Sequence, residues 1–153
     1  MTSATSFELG TDGPSTILAG VDDSTTSLRA ASYAAGLARR QGASLTAVYV
    51  ARVATLAGAA PGGASLAAAQ REAFTEVADD LRQRAVETGR ELGIPVNFVA
   101  AHGEAFTEIC RIADEIRADA LVVGASMKAG HRLVGSLAVR LVRAGRWPVT
   151  VVP

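Results

Sequence analysis

Short apolar runs alternate along this chain with longer stretches in which apolar residues recur every three or four positions. The first spacing suits buried strands and the second amphipathic helices. Ile17-Leu-Ala-Gly-Val21 is an apolar run that stops at Asp22-Asp-Ser24, residues able to cap a helix. That helix is predicted from about Thr25 to Arg40, with Leu28, Ala31, Ala35 and Ala38 inward and Arg29, Arg39 and Arg40 in water. Gly42 ends it. Leu45 to Val50 reads as a second strand, apolar on both faces and therefore covered on both sides. From Ala51 to Ala64 the chain is rich in Ala and Gly around Pro61-Gly-Gly63, a composition predicting a mobile loop.

A long helix follows from about Ser65 to Leu92, with Phe74, Val77, Leu81, Ala85, Thr88 and Leu92 on one stripe; Gly93 and Pro95 close it. Val96 to Ala100 supplies a third strand, and Gly103 introduces a helix whose Phe106, Ile109, Ala113 and Ile116 face inward. Ala120 to Val123 is the fourth strand, Leu133 to Ala144 the last helix, and Val149 to Val152 a fifth strand after Trp147-Pro148. Strands and helices alternating in this way predict an α/β fold with right-handed crossovers and a parallel sheet of about five strands. Ligands of such sheets bind beyond the carboxyl ends of the strands, where the strand order reverses.

Composition narrows the classes of function. A chain of 153 residues, 49% hydrophobic, suits a single domain over residues 16–153 behind a flexible tail, residues 1–15. Fifteen basic residues balance fifteen acidic ones, which gives no electrostatic footprint for nucleic acid or an anionic membrane. No apolar run approaches the roughly 20 residues of a membrane span, and no signal peptide is legible, so a soluble, cytoplasmic protein is expected. One cysteine, Cys110, excludes an internal disulfide and reads as a buried structural thiol. His102 and His131 have no partner at metal-ligand spacing, so no metal site is expected.

Two segments meet at the carboxyl edge: Asp22-Asp-Ser24 after strand one, and the loop from Gly124 to Ser136 after strand four. Asp22 or Asp23 either caps the first helix or offers a carboxylate to a ribose or adenine, and Ser136 either caps the last helix or holds phosphate. Lys128, His131 and Arg132 are either solvated or phosphate partners. The last strand, Val149 to Val152, lies at the sheet edge without a charge to protect it and invites two-fold antiparallel pairing. Trp147 either anchors that interface or packs on its own helix.

Together, Ile17 to Ser24, Leu45 to Val50, Gly103-Glu-Ala, Ala118 to Gly124, Gly135-Ser136 and Pro148 to Val152 resemble the universal stress protein family, in order, from about Thr16 to Pro153. The resemblance implies a Rossmann-like three-layer sandwich of five parallel strands and four helices, commonly a homodimer through the last strand. In nucleotide-binding members, positions matching Asp22 and Val50 contact the nucleoside, and a motif G-x-x-G, nine residues, G-(S/T) holds the triphosphate. Gly124 matches its first glycine and Gly135-Ser136 its final pair. Met127 stands at the second glycine, and Gly124 and Gly135 are eleven positions apart instead of thirteen. A methionine there obstructs the close approach of backbone to phosphate. Gly130 substitutes only if the shortened loop rearranges.

The expected function is therefore a small stress-response or regulatory module that acts by binding and dimerisation, with a degenerate nucleotide loop. The alternative is a binder of adenine nucleotide, ATP with Mg or AMP, through Asp22, Val50, Gly124, Gly130, Gly135 and Ser136, with at most slow ATP hydrolysis. A distant third reading rests on Ala19-Gly-Val-Asp22-Asp-Ser24, which faintly resembles the phosphate loop of ATP pyrophosphatases but has Ala19 for its first serine and Val21 for its second glycine. No catalytic residues are assigned.

Overall fold

The structure, a computed structural model, describes residues 13–52, 61–126 and 135–153. Five strands and four helices alternate: β1 (Thr16–Val21), α1 (Thr25–Gln41), β2 (Ser44–Ala51), α2 (Gly63–Leu92), β3 (Val96–His102), α3 (Ala105–Glu115), β4 (Ala120–Gly124), α4 (Ser136–Ala144) and β5 (Val149–Val152). The strands form one sheet in the order β3-β2-β1-β4-β5, with every pairing parallel. The chain runs outward from β1 to β3, then crosses back to β4, so its path reverses between β1 and β4. A crevice forms at such a reversal because the loops on either side diverge.

The helices cover both faces. Ile109, Ile112 and Ala113 of α3 and Ala138 and Leu141 of α4 pack with Leu18, Val48, Leu121 and Val123 on one face. On the other, α1 lays Ala30, Ala34, Ala35 and Ala38 on Ile17, Ala19, Leu45 and Val122, while Leu81 of α2 meets Val21 and Ala47. Burial on both faces is why β1 and β4 read as continuous apolar runs. Residues Gly42, Gly93 and Gly145 end their helices in the left-handed region, which glycine enters without steric cost. At the other end of the sheet, Asp119 Oδ2 accepts the N–H groups of Ser15 and Thr16 and the Ser15 hydroxyl, tying the entrance of β1 to that of β4. Burial pushes this carboxyl upward, but those bonds outweigh it and hold it below its ordinary value.

The inward faces are broader than predicted. In α1, Leu28 and Ala31 are half-buried against Val21, Ala47 and Leu81, and Ala30 and Ala34 add a fully buried row against the sheet. In α3, Ile112 joins the buried face, and Ile116, at the helix's C-cap, packs half-buried against the same core. The predicted mobile loop falls mostly on residues 53–60, outside the described residues, as do residues 1–12 of the predicted tail and residues 127–134 of the loop after β4.

Candidate functional site

The turn after β1 is held by a closed set of hydrogen bonds. Ser24 is the N-cap of α1: its Oγ accepts the Ser27 N–H at 3.2 Å. Ser27 Oγ donates to the Ser24 carbonyl at 3.0 Å and accepts the Asp22 N–H at 3.1 Å. The Ser24 N–H donates to Asp22 Oδ1 at 3.0 Å. Asp22 and Asp23 therefore do not cap the helix. Asp22 braces the turn with one oxygen, stays exposed, and keeps its second oxygen without a protein partner among the described residues. Asp23 bridges the turn at φ 66°, a left-handed conformation that Asp tolerates better than most residues.

Beside this turn lies a cavity of about 510 Å³, within the range of small-molecule sites. Gly20, Val48, Val50, Ile109 and Val123 give it an apolar floor, and Asp22, Arg52, Ser126 and Ser136 place polar groups around it. Of the residues expected to form a site, Asp22, Val50, Gly124, Gly135 and Ser136 all line this one cavity. Gly130 lies outside the described residues, together with Met127, Lys128, His131 and Arg132.

Three helices begin at the cavity, and they begin differently. Ser24 caps α1. Glu104 caps α3, its carboxylate accepting the N–H groups of Phe106 and Thr107 at 3.3 and 3.0 Å and the Thr107 hydroxyl at 2.9 Å. The N-cap of α4 is Gly135, with no side-chain hydrogen bond, and Ser136 is the first helical residue. Ser136 is thus not an N-cap. Unfilled N–H groups in a helix's first turn attract anions, since the backbone dipoles leave partial positive charge there. The first turn of α4, Ser136 to Ala138, lines the cavity.

Glu104 also binds Arg140 of α4, with Nη1 to Oε1 at 2.5 Å, and Arg140 lies over the Phe106 ring at 4.2 Å. This pairing, first among the causes, and the capping bonds hold the Glu104 carboxyl down at about 2. Cys110, on α3 itself, is half-buried against the core, and burial pushes its thiol up, as suits a structural residue. His102 packs tilted against Phe74 with ring centroids 3.9 Å apart, and Phe74 in turn stacks on Tyr49 at 5.5 Å, so this histidine joins an aromatic packing group.

Gly124 has a tighter constraint than ligand access. A Cβ there would lie 2.6 Å from the Thr26 carbonyl carbon and 2.8 Å from the Ser27 nitrogen, so its glycine lets the first turn of α1 rest on β4. Sequence reasoning missed Arg52, Thr26, Ser27 and Ala105 as cavity residues. The hydroxyl-rich run from Ser24 to Ser27 and an arginine directly after β2 were the available signals.

The universal stress protein family profile matches residues 14–153. A universal stress protein of Methanocaldococcus jannaschii is 30% identical over 134 residues, covering 86% of this chain and 77% of its own. The universal stress protein UspA from Lactobacillus plantarum is 26% identical, with a TM-score of 0.72 over 91% of this chain and 97% of that one. Two more distant structures share the fold. One is a universal stress protein in complex with cAMP, 22% identical, TM-score 0.63, covering 91% of this chain and 96% of its own. The other is a family protein from Arabidopsis thaliana with AMP bound, 18% identical, TM-score 0.66, covering 91% of each chain. Through the profile match and the identity to the archaeal relative, this chain belongs to the universal stress protein family.

Proposed function

We propose that this chain is a regulatory module that works by binding, and that its crevice between β1 and β4 takes an adenine nucleotide with few phosphates, AMP in preference to ATP. The observation carrying this reading is the start of α4, which alone among the three helices beginning at the cavity has no side-chain cap among the described residues. A phosphate at Gly135 and Ser136 would meet N–H groups that no side chain among the described residues fills. The sheet then sets the distance to the base: β2 lies two strands from β4, about 10 Å at ordinary strand spacing. That span matches a nucleoside monophosphate whose base rests near Val50. Asp22, between them, offers its second oxygen to the ribose hydroxyls. Met127 and the shortened spacing to Gly135 disfavour a longer phosphate chain, which needs backbone in close approach.

Bound AMP and cAMP in proteins of this fold agree with an adenine ligand. The second partner in this proposal is another copy of the chain, paired through β5, which is an edge strand. If the crevice takes no nucleotide, that pairing becomes the basis of a module acting through protein contacts.

Calorimetric titration of nucleotide-stripped protein is the test. AMP is expected to bind with Kd on the order of 10 µM, ATP with magnesium more weakly, and Gly135→Val to weaken AMP at least tenfold in a folded protein. Absence of heat with AMP refutes the nucleotide reading. ATP binding tighter than AMP refutes the preference for fewer phosphates.

A further inference from the structure

On the other face of the sheet, a second cavity of about 220 Å³ opens between α1 and α2. Its floor includes Val21 and Ala47, both buried. Ala31 of α1 and Ala85 of α2 line it, and Arg84 and Thr88 add polar groups. Arg84 is the one charged residue of its lining. The opening follows from side-chain size. Leu81 is long enough to close α2 onto the sheet at Val21 and Ala47, but one turn later Ala85 is not, and Ala31 does not make up the difference. Protein interiors seldom leave such room unfilled.

We propose that this cleft binds a small amphipathic carboxylate the size of a medium-chain fatty acid. An aliphatic cavity of about 150 Å³ holds a molecule the size of benzene, so this one admits a somewhat longer apolar body over Val21 and Ala47. Arg84 selects the head group. Its Nε bonds Asp80 Oδ2 at 2.8 Å, with both side chains 52% exposed. An exposed pair of this kind contributes little to stability. The guanidinium can therefore exchange Asp80 for a ligand carboxylate and keep an equivalent charge-assisted bond. Thr88, one turn along the same face of α2 from Arg84, supplies a hydroxyl beside the head group.

Octanoate is the probe, followed by amide chemical-shift NMR on the full chain, with octanol as the uncharged control. Octanoate is expected to bind saturably at sub-millimolar concentration, shifting Val21, Ala31 and Ala85, with octanol about tenfold weaker. Arg84→Gln, a surface change that leaves packing intact, is expected to weaken octanoate about tenfold and leave octanol unchanged. Ala85→Leu fills the cleft and is expected to abolish both. The proposal is overturned if octanoate shows no saturable shifts, or if Ala85→Leu leaves binding as it was. Equal binding of octanoate and octanol removes the carboxylate from it.

Discussion

A methyl group at position 124 has no room. The atoms it would strike, the carbonyl carbon and oxygen of Thr26 at 2.6 and 2.7 Å and the Ser27 nitrogen at 2.8 Å, are backbone and cannot rotate away. Gly124→Ala must push α1 off β4, and overpacking of this kind costs about 2–3 kcal/mol, which lowers Tm by roughly 4–12 °C for a chain of this size. Calorimetric melting of the variant checks it; an unchanged Tm would mean that α1 slides without cost. The sequence marked Gly124 as a position needing glycine, but not what approaches it, because Thr26 and Ser27 meet it only through the fold. The inner face of α1 was hard to read for a different reason. Alanines occupy positions 30, 31, 34, 35 and 38, so several faces look equally apolar and the periodic signal weakens. Choosing among them took the packing of Ala30 and Ala34 on the sheet.

Glu104 joins two elements that wall the crevice. Its carboxylate closes the N-terminus of α3 and holds α4 through Arg140. Its folded value, about 2, lies below the ordinary 4.5. A depressed carboxyl adds stability that is fully present above its unfolded value and is lost as pH falls through the folded one. The stability gap between the wild type and Glu104→Gln is therefore expected to be constant above about pH 5 and to close between roughly pH 5 and 2. Glu104→Ala removes the cap as well and should cost about 1 kcal/mol at neutral pH. Thermal melts of all three proteins at pH 3 and pH 6 test this, and a gap that does not change with pH contradicts it. Elements were more legible than their ends. Each predicted strand and helix exists, since each has either a buried run or a clear stop such as Gly42 or Gly93. The caps were not, because Ser24, Asp22 and Asp23 all favour helix starts and only geometry selects Ser24. Likewise, nothing in Gly135-Ser136 alone shows that α4 starts without a side-chain cap.

For the whole molecule, alternation of strands and helices was enough to predict a parallel sheet, but the order β3-β2-β1-β4-β5 decides which edge is open. The β5 edge is apolar except for Thr150. Its hydrogen bonds show which groups remain outward. The carbonyls of Pro148 and Val152 accept from Leu121 and Ala125, so these residues face β4. Backbone groups alternate in direction along a strand, which places Thr150 inward as well and turns the N–H and C=O of Val149 and Val151 to the free edge. A second copy pairing antiparallel through the two-fold axis would satisfy exactly those outward groups and cover an edge otherwise open to aggregation. Val151→Pro removes one outward N–H without touching the ladder to β4, and proline is tolerated on an edge strand. If the chain dimerises through β5, sedimentation equilibrium should show a dimer for the wild type and a dissociation constant raised at least tenfold for Val151→Pro, with circular dichroism unchanged. A variant that stays as tightly dimeric as the wild type would place the interface elsewhere. Arg146, stacked on Trp147 at 4.3 Å and bonded to Asp114, already holds that indole to its own subunit. Trp147→Ala is thus expected to lower stability more than it loosens the dimer, which separates packing within the chain from pairing between chains.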